Sequence, residues 1–127
     1  MTKYEQHKTI ALDRFKEIFG GYPSSHPEDQ PRIARLPIKR KWFDMILSGE
    51  KEEEYREIKK YWEKRLWQDE PEILFLHAGY GDDKPSMFIC CDEIRKGWGF
   101  GKWGAPAYPI YICELGEILC SYNHEQT

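Results

Sequence analysis

An apolar stripe at helical spacing, Trp42, Phe43, Ile46 and Leu47, runs into Gly49, and a densely charged segment, Glu50 to Glu57, follows it. The stripe calls for a short helix with one buried face, and Gly49 stands where a left-handed residue would stop it. Glu54 and Arg56 are two residues apart, so on a strand both leave the same face. An acid and a guanidinium side by side, with Lys51 at the strand's entrance, do not suit a plain apolar core. They suit a polar cleft beside a helix.

A chain of 127 residues is long enough for one domain with a real core and too short for two comfortable ones. Its 22 acidic and 19 basic side chains give a formal charge of -3, which argues against holding nucleic acid through bulk positive charge. A local basic groove stays open. Five tryptophans and an aromatic content of 15% can feed either a core or stacking surfaces. No apolar run approaches a membrane span, and the N-terminus has no signal-peptide h-region. Cys90, Cys91, Cys113 and Cys120 contain no C-x-x-C pair, so neither a zinc site nor a redox motif is expected. Buried free thiols and a cytoplasmic location are the expectation, with no cofactor and no membrane partner.

Tyr4, Ala11, Leu12, Phe15, Ile18 and Phe19 mark an N-terminal helix that Gly20-Gly21 would end. A polar, proline-spaced connector runs from Tyr22 to Pro31. Residues 1–31 therefore read as a helix and connector, and residues 32–127 as the domain proper. The helix either packs on the domain or serves a partner. The domain begins with a strand over Arg32–Ile38, where Pro37 points to an edge or terminal position. A helix over Arg40–Ser48 and a charged strand near Glu52–Ile58 come next. Ile58, Tyr61, Trp62, Arg65 and Leu66 predict a helix over Lys59–Trp67. Ile73–Ala78 is a nearly continuous apolar run fit for a buried strand. Met87–Ile94 and Ile110–Leu119 complete the set, the last with a bend at Gly116. The order fits an α+β fold, a small, partly open β-barrel of about five strands with flanking helices, plus the N-terminal helix.

The segments Leu36-Pro37-Ile38-Lys39 and Trp42–Ser48, with the G-x-K-x-x-x-x-R core at Gly49, Lys51 and Arg56, resemble the ASCH family of the PUA-like superfamily. The likeness extends through Tyr55, Tyr61-Trp62 and Arg65-Leu66 to a closing strand at Tyr111–Ile118, and leaves the N-terminal helix outside. It implies a PUA-like barrel with a cleft beside the charged strand, and binding of RNA or a nucleotide-like ligand. One branch of the family hydrolyses the amide of N4-acetylcytidine with a lysine, a threonine and a glutamate. Lys51 matches the lysine. The threonine position is Glu54 here, which removes the hydroxyl nucleophile, and Glu93 is the candidate for the distant glutamate.

Lys51, Glu54 and Arg56 are thus the candidate recognition set, with Lys51 and Glu54 doubling as catalytic candidates. Arginine supplies a planar fork of donors, and a glutamate can accept from an exocyclic amine. The bland alternative is a row of surface ion pairs of little worth. Carboxylates near Lys51 would hold its ammonium form, which favours clamping a ligand over proton abstraction. Tyr61, Arg65 and Trp103 join the ligand-binding candidates. The basic clusters Lys39-Arg40-Lys41 and Lys59, Lys60, Lys64, Arg65 read individually as solvated helix faces. Gly97–Gly104 contains a formal G-x-G-x-x-G, but Pro106 and Pro109 exclude a dinucleotide fold. That stretch reads as a wide hairpin, Trp98 capping the barrel and Trp103 offered for stacking. His77, at the end of an apolar strand, reads as a core or rim residue. Three functions stay in play: RNA or nucleotide binding, hydrolysis of N4-acylated cytidine, and docking to a protein through the N-terminal helix.

Overall fold

A computed structural model of the chain describes residues 1–21 and 30–122. Most of the connector, with His26, and the end of the chain, with His124, lie outside the described residues. The N-terminal helix α1 covers Lys3–Phe19. Thr2 caps it by accepting from the Glu5 amide, and Gly20 ends it in the left-handed conformation. Strand β1 (Ile33–Pro37), helix α2 (Arg40–Leu47) and strand β2 (Glu53–Arg56) follow. Helix α3 (Lys60–Trp62) widens into a π-helical segment over Glu63–Gln68. Strands β3 (Ile73–His77), β4 (Ser86–Gly97) and β5 (Ile110–Tyr122) complete the chain, with a 3-10 turn at Gly101–Trp103 between the last two.

The five strands form one mixed sheet in the order β1-β3-β4-β5-β2, curled into a half-barrel. β1 runs parallel to β3 and every other pairing is antiparallel. Pro37 ends β1, which is an edge strand, so its missing amide removes no ladder bond from the sheet interior. The register of β4 on β5 shifts three times between Phe88 and Glu93, opposite the stretch of β5 that holds Gly116. Such irregularities bend a strand pair and help the sheet curl.

All five residues of β3 are buried, and alternation explains why the run is apolar on both faces. Leu74 and Leu76 point into a core shared with Leu36, Phe43, Ile46, Leu66, Met87 and Tyr111. Ile73 and Phe75 point the other way, into a second cluster with Phe88, Cys90 and Leu119 that Ala11 and Phe15 of α1 cover. Each of the leucine, isoleucine, methionine and phenylalanine side chains among these contributes about 1.5–3 kcal/mol on burial. Helix α1 therefore packs on the sheet. Its stripe is narrower than the sequence implies, because Ile18 and Phe19 remain exposed.

Cys90, Cys91 and Cys113 are buried free thiols, and Cys120 is half-buried. Burial pushes the Cys90 thiol up to about 11. No helix among the described residues is long and apolar enough to cross a membrane.

Candidate functional site

Helix α2 is anchored by Phe43 and Ile46, and Gly49 stops it at positive φ, as the sequence predicts. The chain then turns so that the Lys51 amide donates to the Met45 carbonyl at 2.9 Å. This closure carries Lys51 inward, where the residue is only 2% exposed. Its Nζ lies 3.0 Å from Glu54 Oε1, donates to the Glu53 carbonyl, and sits 4.5 Å from the centre of the Tyr55 ring. Glu54, 5% exposed, turns its other oxygen to Arg56 Nη1 at 2.6 Å. Arg56 also donates to the carbonyls of Tyr55 and Pro37, each at 2.6 Å, so its guanidinium is fixed between β2 and the end of β1. Lys51, Glu54 and Arg56 form one continuous ion chain. Its inner end is sealed and its outer end is partly open.

Desolvation pulls Lys51 below the ordinary lysine value, and the opposing pull of Glu54 does not cancel it. The expectation that nearby glutamates would dominate is corrected here: burial outweighs them. Even so, the lysine side chain has no solvent exposure. Among the described residues no group of three or more His, Cys, Asp or Glu is placed to hold a metal ion.

The opposite face of β2 carries a second network that the sequence reading missed. Tyr55 donates to Glu53 Oε1 at 2.7 Å and accepts from the Phe100 amide at 2.9 Å, tying the glycine-rich hairpin to the strand. Glu53 Oε2 holds Arg95 Nη2 at 2.9 Å, and Arg95 Nη1 lies 2.9 Å from Glu114 without the alignment of a hydrogen bond. Burial and the Glu53 bond push the Tyr55 phenol well above its ordinary value. The spacing that singled out Glu54 and Arg56 applies equally to Glu53 and Tyr55. Arg95 joins them only through sheet register, which spacing does not reveal.

Arg56 borders a hollow of about 350 Å³ with Tyr55, Lys59, Trp62 and Tyr108 on its walls. Tyr61 and Arg65 lie elsewhere. They line a neighbouring depression with Arg32 and Lys64, and the Arg65 guanidinium rests 3.7 Å from the centre of the Tyr61 ring. Trp62 packs against the main core and borders the hollow beside Arg56, while Tyr61 is 52% exposed and lies outside that hollow. Trp103 packs on the cluster of Tyr55, Ile110 and Ile112 and edges against Phe100. Trp98, expected to cap the barrel, is instead 68% exposed. Gly99 beside it is the residue pressed against Tyr55 and Ala105. Glu93 is exposed on β4 and faces Glu114, whose proximity pushes its carboxyl up. His77 is buried, with Nδ1 3.0 Å from the Gly79 carbonyl, and desolvation holds it below the usual histidine value.

Comparison with known proteins identifies no relative. No family model, no curated protein and no solved structure matches the chain. The residues themselves carry the functional reading.

Proposed function

We propose that the chain is an ASCH-type, PUA-like binding module that holds RNA or a nucleotide in the hollow beside β2. The observation that carries this reading is the fixed guanidinium of Arg56. Glu54 and two carbonyls orient it, and it stands on a wall shared with Lys59 and the rings of Tyr55, Trp62 and Tyr108. Cations with adjacent rings suit a phosphate and a base together, since stacking on one ring is worth about 1–3 kcal/mol per base. Lys51 and Glu54 act in this reading from behind, as positioning residues that keep Arg56 in place.

The runner-up is hydrolysis of N4-acylated cytidine with Lys51 as the base. The downward pull of burial on Lys51 favours it. Against it, the ammonium is shut away from solvent, and Glu54 stands where the hydroxyl nucleophile would be.

The test is a titration of short single-stranded RNA against the full chain at several salt concentrations. Binding should weaken as salt rises, and Lys59→Gln and Arg56→Gln should each lower the affinity several-fold. Salt-independent binding, or binding that both variants leave unchanged, removes the proposal. Release of acetate from N4-acetylcytidine that Lys51→Met abolishes would put the hydrolase in its place.

A further inference from the structure

A second hollow, of about 370 Å³, opens where α1 crosses the ends of β1 and β3. That volume falls within the range of small-ligand sites. Lys3 on α1, Arg35 on β1 and Lys84 on the turn before β4 line it, and Asp82 is the one carboxylate on its wall. The chain as a whole is acidic, so this local excess of cations runs against its average.

Arg35 distinguishes the hollow from an ordinary charged surface. Arg14, Arg40, Arg56 and Arg95 each have a carboxylate partner. Among the described residues Arg35 and Lys84 have none; Arg32 and Arg65 also lack one, but Arg35 is the arginine that lines this hollow. The Arg35 guanidinium instead lies 4.0 Å from the centre of the Tyr4 ring and 5.5 Å from that of Phe75. Cation–π contact of this kind fixes the plane of the group while leaving its hydrogen-bond donors unspent. Two rings on the wall are largely in solvent, Tyr61 at 52% exposed and Tyr80 at 78%. Exposed aromatic surface gathered around a concavity with a few convergent polar groups is the pattern of a small-ligand site.

We propose that this hollow binds a small anion carrying an aromatic ring, of the nucleoside monophosphate class, with Arg35 and Lys84 on the phosphate and the ring against Tyr61 or Tyr80. The site is composite, because Lys3 and Tyr4 come from α1 while the rest comes from the sheet domain. It does not rest on the hollow beside Arg56, although Trp62 borders both. His77 belongs to the same wall, its ring packed on Phe75 and Tyr80 and its Nδ1 bonded to Gly79. Burial, together with Arg35 and Arg56 nearby, disfavours its charged form. An anion seated on Arg35 would relieve that cationic crowding.

The experiment is an NMR titration of the full chain with adenosine 5′-monophosphate, inorganic phosphate and adenosine in parallel. The monophosphate should shift the amides of Tyr4, Arg35 and the 79–86 turn saturably, and bind at least about tenfold tighter than either fragment. Arg35→Gln and Lys84→Gln should each weaken it about tenfold, the latter serving as the variant outside any strand. Lys59 lines only the hollow beside Arg56, so Lys59→Gln should leave this affinity unchanged, which separates the two hollows. No saturable shift at these residues overturns the proposal. So does equal affinity for phosphate alone, or binding indifferent to both Arg35→Gln and Lys84→Gln in variants that retain the native amide pattern.

Discussion

Glu54 is the residue on which the buried charges depend, because each of its oxygens faces a different cation. Removing it leaves Lys51 and Arg56 next to each other with no anion between them. Breaking a buried pair by deleting one partner typically costs about 3–5 kcal/mol, since the remaining charge keeps its desolvation penalty. Glu54→Ala should therefore lower the unfolding free energy by that amount in urea denaturation. Lys51→Met should cost clearly less, because Glu54 keeps Arg56 and the methionine fills the space without a charge. A loss for Glu54→Ala no larger than the 1 kcal/mol or so of a surface pair would mean the chain is solvated after all. His77 provides a second test at this scale. Its folded value lies below the ordinary 6.5, so as pH falls through 6.5 the unfolded chain takes up the proton first. Stability contributed by the neutral ring is complete above that value and is lost on acidification. The advantage of the native chain over His77→Gln should shrink between about pH 7.5 and 5, measured by chemical denaturation. A difference that is flat or grows with acid would contradict the assigned environment.

The hairpin between β4 and β5 shows how glycine shapes an element through close approach. A Cβ on Gly99 would lie 2.7 Å from both Tyr55 Cε1 and the Ala105 methyl, whereas one on Gly101 would meet nothing within 4 Å. Gly99→Ala must push the loop away from Tyr55, straining the hydrogen bonds that join Tyr55 to Phe100 and Glu53. An overpacked site of this kind costs about 1–3 kcal/mol, while Gly101→Ala should stay within about 0.5 kcal/mol of the native chain. Thermal melts of the two variants side by side would check this, and equal melting points would refute it. Those glycines were legible in the sequence as a turn-rich hairpin, but which one is pressed against a ring depends on contacts across the sheet. The same division holds elsewhere. Gly49, the alternation along β3 and the shared face of Glu54 and Arg56 follow from local spacing. The π-helical widening at Glu63–Gln68 does not, since the spacing there predicts only a regular helix over Lys59–Trp67. Arg35 was equally hidden. Its strand position, two before Pro37, looks like any edge arginine until α1 lays Tyr4 across it.

For the molecule as a whole, the relation between α1 and the sheet decides what kind of object the chain is. Read along the sequence, a helix followed by a proline-spaced connector either packs on the domain or serves a partner. In three dimensions β3 is covered on both faces, and Ala11 and Phe15 close the side away from the main core. Without α1, the apolar side chains of Ile73, Phe75, Phe88 and Leu119 would face water on a sheet whose β1 edge is already unpaired. Phe15→Ala should cost about 3 kcal/mol or somewhat more by the usual penalty for truncating a buried ring. Deletion of residues 1–21 should cost more still, lower the midpoint of urea unfolding, and make the protein bind a hydrophobic dye. It should also abolish monophosphate binding at the composite hollow, because Lys3 and Tyr4 leave with the helix. A truncated chain that unfolds at the native midpoint with unchanged denaturant sensitivity would show that α1 adds nothing to the stability of the sheet.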